Sequence, residues 1–112
     1  LCAPVVPCGA AAEQALSAAG VVASVDSFEQ DVKAVLTKVE LGEVDAGLVY
    51  RTDVLAAGAA VQAITALNSP TSIYPIVALP TASHPAAAAQ FVEFVLSDAG
   101  QAILRKAGFG AP

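Results

Sequence analysis

The 112-residue chain is apolar and acidic, with 56% hydrophobic residues, 13% charged residues and a formal net charge of −5. This length fits one domain or part of one, and the apolar content argues against disorder. The negative charge argues against nucleic acid and anionic membrane surfaces as partners, because both attract basic patches. No apolar stretch is long enough to predict a transmembrane helix.

The chain starts at Leu1 without an initiator methionine, and LCAP is typical of the last residues of a strand. We therefore expect a fragment of a longer precursor, for which a missing signal peptide says nothing about the compartment. Cys2 and Cys8 lie close together among prolines. In an extracytoplasmic protein this loop can close into a disulfide, and otherwise it holds two buried thiols. With His84 as the one histidine, the ligands are too few for a metal site.

Strand and helix patterns alternate along the first part of the chain, which predicts an α/β fold. The predicted strands cover residues 1–3, 21–25, 47–50, 61–67 and 73–79. The predicted helices of this part cover residues 9–19, 32–39 and 52–57. Residues 68–72 form a predicted loop. Pro75 interrupts the last strand, which should therefore lie at a sheet edge or in a crossover.

The start of the second helix has two possible caps. Ser27 with Gln30 would form a capping box, whereas Asp31 would start the helix at Val32. We favour Asp31, because the apolar helical spacing also begins at Val32. In that case the Val32 amide is a first-turn donor without an intrahelical acceptor.

Two further helices are predicted after residue 80. Ser83 is the expected cap of the first, with Pro85 in its first turn. Asp98 is the expected cap of the second, which Gly108 ends. No earlier segment matches their apolar stripes, so we expect them to pack against something other than the preceding sheet.

The segment AGLVY ends on Tyr50, and a polar turn at 51–53 follows at once. This places a phenol hydroxyl at the carboxyl end of a strand, where open α/β sheets form their ligand crevices. VPCG around Cys8 and EQDV around Val32 are predicted helix N-termini that face the same crevice. Three neutral hydrogen-bond donors at one point favour a bound oxyanion.

The chain resembles the molybdate-binding proteins of bacterial ABC importers in the segments VPCGAAAEQAL, EQDVKAVLTKVELGEVDAGLVYRTD, YPIVAL and RKAGFG. The resemblance implies one lobe of a two-lobed periplasmic-binding-protein fold, with a three-layer, mostly parallel central sheet. It assigns residues 1–72 to part of the second lobe and 73–80 to a crossover strand. Residues 81–112 become C-terminal helices that pack on the first lobe. In the family, the amino-terminal half adds two serine-bearing loops to the site.

The resemblance also implies the ligand donors. They are the backbone amide of Cys8, the backbone amide of Val32 and the hydroxyl of Tyr50, and they bind molybdate or tungstate without a protein metal ligand or a cofactor. Many members have alanine at the position of Cys8. An amide donor tolerates this change, and a Cys2–Cys8 disulfide would brace the loop that carries the donor.

The implied function is an extracytoplasmic solute-binding component, periplasmic or a cell-surface lipoprotein, that delivers its oxyanion to a membrane ABC permease and is not an enzyme. One alternative is a ligand-sensing effector domain of a transcription regulator. Another is a thiol enzyme that uses Cys8 at a helix N-terminus. A lobe without its partner would expose apolar surface, which predicts a homodimer or a swapped assembly.

The other polar residues near these segments are interpreted without a ligand role. On its own, Tyr50 also fits a core residue with its hydroxyl at the surface. Arg51 fits a solvated charge in the turn, and Asp53 should stabilise that turn. Lys33 and Lys38 fit solvated charges on the polar face of the second helix.

Overall fold

The computed structural model describes residues 1–64, 67 and 70–112, and the chain divides into two compact units, Leu1–Thr71 and Ser72–Pro112. The α-helices of the described residues are α1 (Pro7–Ala18), α2 (Val32–Glu40), α3 (Arg51–Ala57), α4 (Pro85–Leu96) and α5 (Asp98–Lys106). A 3₁₀ turn, Gly58–Ala60, follows α3. None of the helices in this described part has the length and hydropathy needed to cross a bilayer.

The predicted strands do not form ladders in the described residues. Segments 21–25, 47–50 and 73–79 have no strand hydrogen-bonding pattern, and β structure is limited to one parallel bridge between Cys2 and Glu29. The predicted strand 61–67 and loop 68–72 fall partly outside the described residues. Apolar β-branched runs favour extended backbone locally, but a strand also needs a partner distant in sequence. The central sheet is therefore not confirmed.

The parallel bridge ties the start of the chain to the segment that leads into α2. The Ala3 amide donates to the Glu29 carbonyl at 2.7 Å, and the Glu29 amide donates to the Leu1 carbonyl at 2.8 Å. The Leu1 nitrogen donates to the Ser27 carbonyl at 3.0 Å. Glu29 precedes the N-cap of α2, Asp31, by two residues. The bridge therefore fixes the start of α2 beside residues 1–3.

The first helix, α1, begins at Pro7, two residues before the predicted start. Proline is well suited to this position, because an N–H at the first helical position has no intrahelical acceptor and its absence breaks no hydrogen bond. A side chain at Gly9 would overlap the Ala3 carbonyl, so the first turn of α1 packs directly on the preceding backbone. The Val6 amide also donates to the Ala3 carbonyl at 3.1 Å. Residues 3–9 therefore fold back tightly on themselves.

Cys2 and Cys8 form a disulfide with their Cα atoms 5.7 Å apart. Both residues are buried, at 2% and 8% exposure. They share a hydrophobic cluster, which we call the disulfide cluster, whose members are Cys2, Cys8, Val35, Val6, Val32, Val49 and Tyr50. Because the chain has two cysteines and both are in this bond, the thiol-enzyme alternative is wrong: it requires a free thiolate at Cys8.

Asp31 caps α2, as predicted. Its side chain accepts a hydrogen bond from the Ala34 amide at 2.9 Å, and the helix begins at Val32. The helix ends at Glu40, and Gly42 follows with a φ of 69°, a left-handed conformation that favours glycine. The alternative capping box at Ser27 is therefore excluded.

Asp53 stabilises the turn that starts α3, as predicted. Its carboxylate accepts a hydrogen bond from the Tyr50 amide at 3.0 Å, and Tyr50 is the residue before the first helical turn. The helix begins at Arg51, one residue earlier than predicted. The backbone of Tyr50 is therefore fixed by the helix that follows it.

The caps predicted for the last two helices are each one residue off. His84, not Ser83, precedes the first turn of α4, because Pro85 occupies the first helical position, where its fixed φ is favourable. Ser97, not Asp98, caps α5 and accepts from the Gly100 amide at 3.3 Å. Asp98 instead lies in the first turn, where its negative charge interacts favourably with the helix dipole.

The two C-terminal helices contact each other closely at Gly100. A side chain there would overlap the Phe94 and Val95 carbonyls. Gln101 is buried on the same helix, and its amide group donates to the Val95 carbonyl at 2.8 Å. In the same unit, the Tyr74 and Phe109 rings meet edge to face at 5.6 Å. Phe94 itself remains 48% exposed.

The interpretation of Lys38 as a solvated charge is wrong. Its ammonium group lies 2.8 Å from the Glu29 carboxylate and 3.2 Å from the Ser27 hydroxyl, and its side chain is only 32% exposed. The hydrogen bond from Lys38 lowers the pKa of Glu29, with a smaller contribution from Ser27. The same hydrogen bond raises the pKa of Lys38. The pair therefore joins α2 to the segment that contains the parallel bridge.

Replacing the cap of α2 should destabilise the protein. We expect Asp31→Ala to lower the free energy of unfolding by about 1 kcal/mol, because the Ala34 amide loses its acceptor. Asp31→Asn is the matched control, since asparagine removes the same charge but still caps. Urea unfolding followed by circular dichroism measures both. A loss of equal size in the asparagine variant would show that the charge matters and the cap does not.

The Lys38–Glu29 pair should make stability depend on pH on the acid side. The folded pKa of Glu29 is lowered, so the pair stabilises the fold above the ordinary glutamate pKa. That contribution is lost as the pH falls through the lowered value. We expect Lys38→Met to destabilise the protein at neutral pH and to match the wild type in acid.

Unfolding curves from neutral to acidic pH measure this difference. Lys33→Met is the control, because Lys33 is an exposed lysine on the same helix. A destabilisation by Lys38→Met that persisted unchanged in acid would contradict the assignment.

Candidate functional site

The first turn of α1 contains one amide with no acceptor among the described residues. Pro7 has no N–H, and the Gly9 and Ala10 amides donate to the Val6 carbonyl at 3.0 and 3.1 Å. The remaining donor is the Cys8 amide. Unpaired first-turn amides carry the partial positive charge of a helix N-terminus, which makes this donor suited to an anion.

The first turn of α2 has the same character. The Asp31 side chain accepts from the Ala34 amide, and the Asp31 carbonyl accepts from the Val35 amide at 3.4 Å. The Val32 amide, at the first helical position, has no acceptor in the described part of the chain. The starts of α1 and α2 therefore each have a backbone N–H donor at a residue that was predicted to bind the ligand, Cys8 and Val32.

The segment before Tyr50 packs on α2. Gly47 lies so close to Val35 and Val39 that a side chain at this position would overlap the Val35 methyl group. This contact brings Val49 and Tyr50 against the disulfide cluster. The Tyr50 side chain is half-buried there, and its backbone is fixed by Asp53.

The structure thus brings the three sequence-predicted residues, Cys8, Val32 and Tyr50, into one cluster. Their role as ligand donors stays a prediction. The seven members of the disulfide cluster include no charged residue. Nearby, Asp31 and Asp53 are occupied as acceptors of backbone amides, and Arg51 is exposed. An anion here would interact with peptide and phenol dipoles and would form no salt bridge with a cationic side chain.

A separate cavity of about 250 Å³ lies in the same unit, between α2 and residues 23–27 and 44–48. Asp26 and Glu29 line it, and Lys38 is already paired with Glu29. The carboxylates make this cavity unfavourable for an anion, and the three predicted donors are not among its lining residues. Across the described residues, no group of three or more histidine, cysteine, aspartate or glutamate side chains is arranged to hold a metal ion.

Sequence reasoning missed the parallel bridge at Glu29, and although it placed Lys38 near Glu29 it did not predict that the two form an ion pair. Glu29 lies two positions after Ser27, so in an extended segment both side chains point to one face. That spacing was the available signal. It did not predict the ion pair, because the spacing of residues does not show how α2 folds back onto the segment before it.

Comparison with known proteins identifies relatives over the whole chain. Residues 1–110 match the family described as bacterial extracellular solute-binding protein. The molybdate-binding proteins ModA of Mycobacterium tuberculosis and Mycobacterium bovis are each 39% identical over 114 residues, which cover 100% of this chain and 44% of theirs.

A third relative comes from Bacillus subtilis. The putative ABC transporter substrate-binding lipoprotein YvgL is 36% identical over 87 residues, which cover 75% of this chain and 33% of that protein. No solved structure matches the chain. The chain spans less than half the length of the curated relatives it matches. On the family match across residues 1–110, the chain belongs to the bacterial extracellular solute-binding proteins.

Proposed function

We propose that this chain is part of the solute-binding component of an ABC importer and that it binds a tetrahedral oxyanion, molybdate or tungstate. The observation that carries the proposal is the disulfide cluster, in which two helix starts and Tyr50 lie together without a charged side chain. The names of the relatives, a molybdate-binding protein and a substrate-binding lipoprotein, support the same class of ligand.

The proposed donors are the backbone amides of Cys8 and Val32 and the hydroxyl of Tyr50. N–H and O–H dipoles can replace the hydration shell of a dianion when they converge on it. Neutral donors hold the anion less tightly than cationic side chains would, which favours release to a transporter. A cage of fixed shape selects by size, so molybdate and tungstate should bind alike and the smaller sulfate less well.

The proposed fold is one lobe of a two-lobed periplasmic-binding-protein fold with a three-layer, mostly parallel central sheet. Residues 1–72 form part of the second lobe, 73–80 the crossover strand and 81–112 the C-terminal helices that pack on the first lobe. The parallel direction of the Cys2–Glu29 bridge supports a parallel sheet. The family of solute-binding proteins supports the two-lobed arrangement.

The proposed location is extracytoplasmic, either the periplasm or the cell surface as a lipoprotein, and the proposed partner is a membrane ABC permease. The disulfide supports this location, since disulfides persist in oxidising compartments and are rare in the cytosol. It therefore counts against an effector domain of a transcription regulator. The proposed protein binds and delivers its ligand and catalyses no reaction. A homodimer or swapped assembly that covers exposed apolar residues remains a prediction.

Isothermal titration of the full-length protein with molybdate, tungstate and sulfate tests the ligand. We expect similar dissociation constants for molybdate and tungstate and a much weaker one for sulfate, because the cage selects by size. Equal affinity for all three would rule out size selection. Absence of binding to all three would contradict the proposed function.

The hydroxyl of Tyr50 should contribute to affinity. We expect Tyr50→Phe to weaken molybdate binding roughly tenfold or more, because one hydrogen bond to a charged ligand is lost. Tyr74→Phe is the matched control, since Tyr74 is 63% exposed and phenylalanine keeps its ring contact with Phe109. Titration calorimetry measures affinity, and thermal unfolding verifies that both variants fold. Unchanged affinity in a folded Tyr50→Phe protein would exclude the hydroxyl as a ligand donor.

A further inference from the structure

We propose that the Cys2–Cys8 disulfide is a positioning element of the oxyanion site, which holds the first turn of α1 in fixed register with the first turn of α2. The inference rests on the proposed function. It assigns to the two sulfur atoms a role in affinity and selectivity, in addition to any role in stability. Cys2 is then a positioning residue, because it acts through Cys8 and donates nothing to the ligand.

The start of α1 has no side-chain cap. Val6 precedes the first turn and offers no side-chain hydrogen bond, whereas Asp31 caps α2 and Ser97 caps α5. What restrains this turn is the disulfide at Cys8, together with the close packing of Gly9 on the Ala3 carbonyl. The crosslink therefore takes the place of a cap at the one helix start that carries a cysteine donor.

The disulfide also connects the two helix starts by a short path. From Cys8 the path crosses the sulfur bridge to Cys2, whose neighbours are hydrogen-bonded to Glu29 at 2.7 and 2.8 Å. Glu29 lies three residues before Val32. The two proposed amide donors are thus joined by one covalent crosslink, one parallel bridge and a short stretch of backbone.

Packing extends this restraint to the third donor. The two sulfur-bearing side chains and Val35 form the buried centre of the disulfide cluster, and Tyr50 packs against that centre. Val35 is 2% exposed, so α2 has no room to shift without displacing its neighbours. Removing the sulfur atoms should therefore change the positions of all three residues that carry the proposed donors.

A dianion bound by neutral dipoles depends strongly on their geometry. Binding groups must be held within a fraction of an ångström of the productive arrangement by the residues that support them. Without the crosslink, the first turn of α1 would be restrained only by backbone contacts and by the packing of Val6, and the Cys8 amide would sample other positions. Affinity should then fall, and the cage should also adapt more readily to a smaller oxyanion.

The test compares the full-length wild-type protein with a Cys2→Ala, Cys8→Ala double variant. We expect the double variant to bind molybdate roughly tenfold more weakly, as expected for one misplaced hydrogen bond to a charged ligand. We also expect its preference for molybdate over sulfate to shrink. Calorimetry measures both affinities at a temperature well below each melting temperature. Cys2→Val with Cys8→Ala, which restores apolar volume, is the second variant if the first does not fold.

The control lowers stability without touching the first turn of α1. Ala12→Gly with Ala15→Gly weakens the interior of the same helix, at two buried positions. We expect this variant to melt earlier and to keep both the affinity and the selectivity of the wild type. An equal loss in the control would show that the disulfide acts through stability alone, and this would overturn the inference.

Unchanged affinity and selectivity in a folded double variant would overturn it as well. So would failure of both cysteine variants to fold, because the crosslink would then be a folding requirement. If the wild-type protein binds no oxyanion, the proposed function itself fails. If the wild-type protein binds and the double variant binds equally well, only the inference about the disulfide fails.

Discussion

The bond between Cys2 and Cys8 is the constraint around which the first unit is arranged. It closes a loop whose backbone is already folded tightly by the contact between Gly9 and Ala3. The same loop is paired with Glu29, so the crosslink fixes both the start of α1 and the approach to α2. Small apolar cores gain most from such crosslinks, because they have little buried area to offset the entropy of the chain. Here the crosslink also lies at the proposed site.

The acidic composition limits how such a site can attract an anion. A net charge of −5 gives a field that opposes the ligand, so attraction must come from local dipoles. Two first-turn amides without acceptors in the described residues meet this requirement, and the cluster around them has no carboxylate. The nearby carboxylates of Asp31 and Asp53 accept hydrogen bonds from backbone amides. Their charge is therefore partly offset before a ligand arrives.

Local patterns predicted the helices well, whereas the predicted sheet is not confirmed in the described residues. The apolar spacing of α2 and the Asp31 cap are short-range features, and both were predicted. The caps of α4 and α5 were each missed by one residue, because several polar residues near the start competed for the role. The strands depend on pairing with distant segments, of which the described residues show only Cys2 with Glu29. Lys38 was misjudged because the spacing of residues does not show how α2 folds back onto the segment before it, which contains its partner Glu29.

The proximity of Cys8, Val32 and Tyr50 was predicted from two helix starts and a strand end that face one crevice, and the family resemblance then implied which atom of each residue donates. Even so, three neutral donors cannot replace the hydration shell of a tetrahedral dianion, because each of its four oxygens accepts more than one hydrogen bond. A site built on this cluster needs further donors from residues outside it. Affinity would then depend on closing a second surface over the ligand, and a rigid first surface would make that closure selective. In the proposed site, the register of α1 and α2 would therefore matter most when that second surface closes over the ligand.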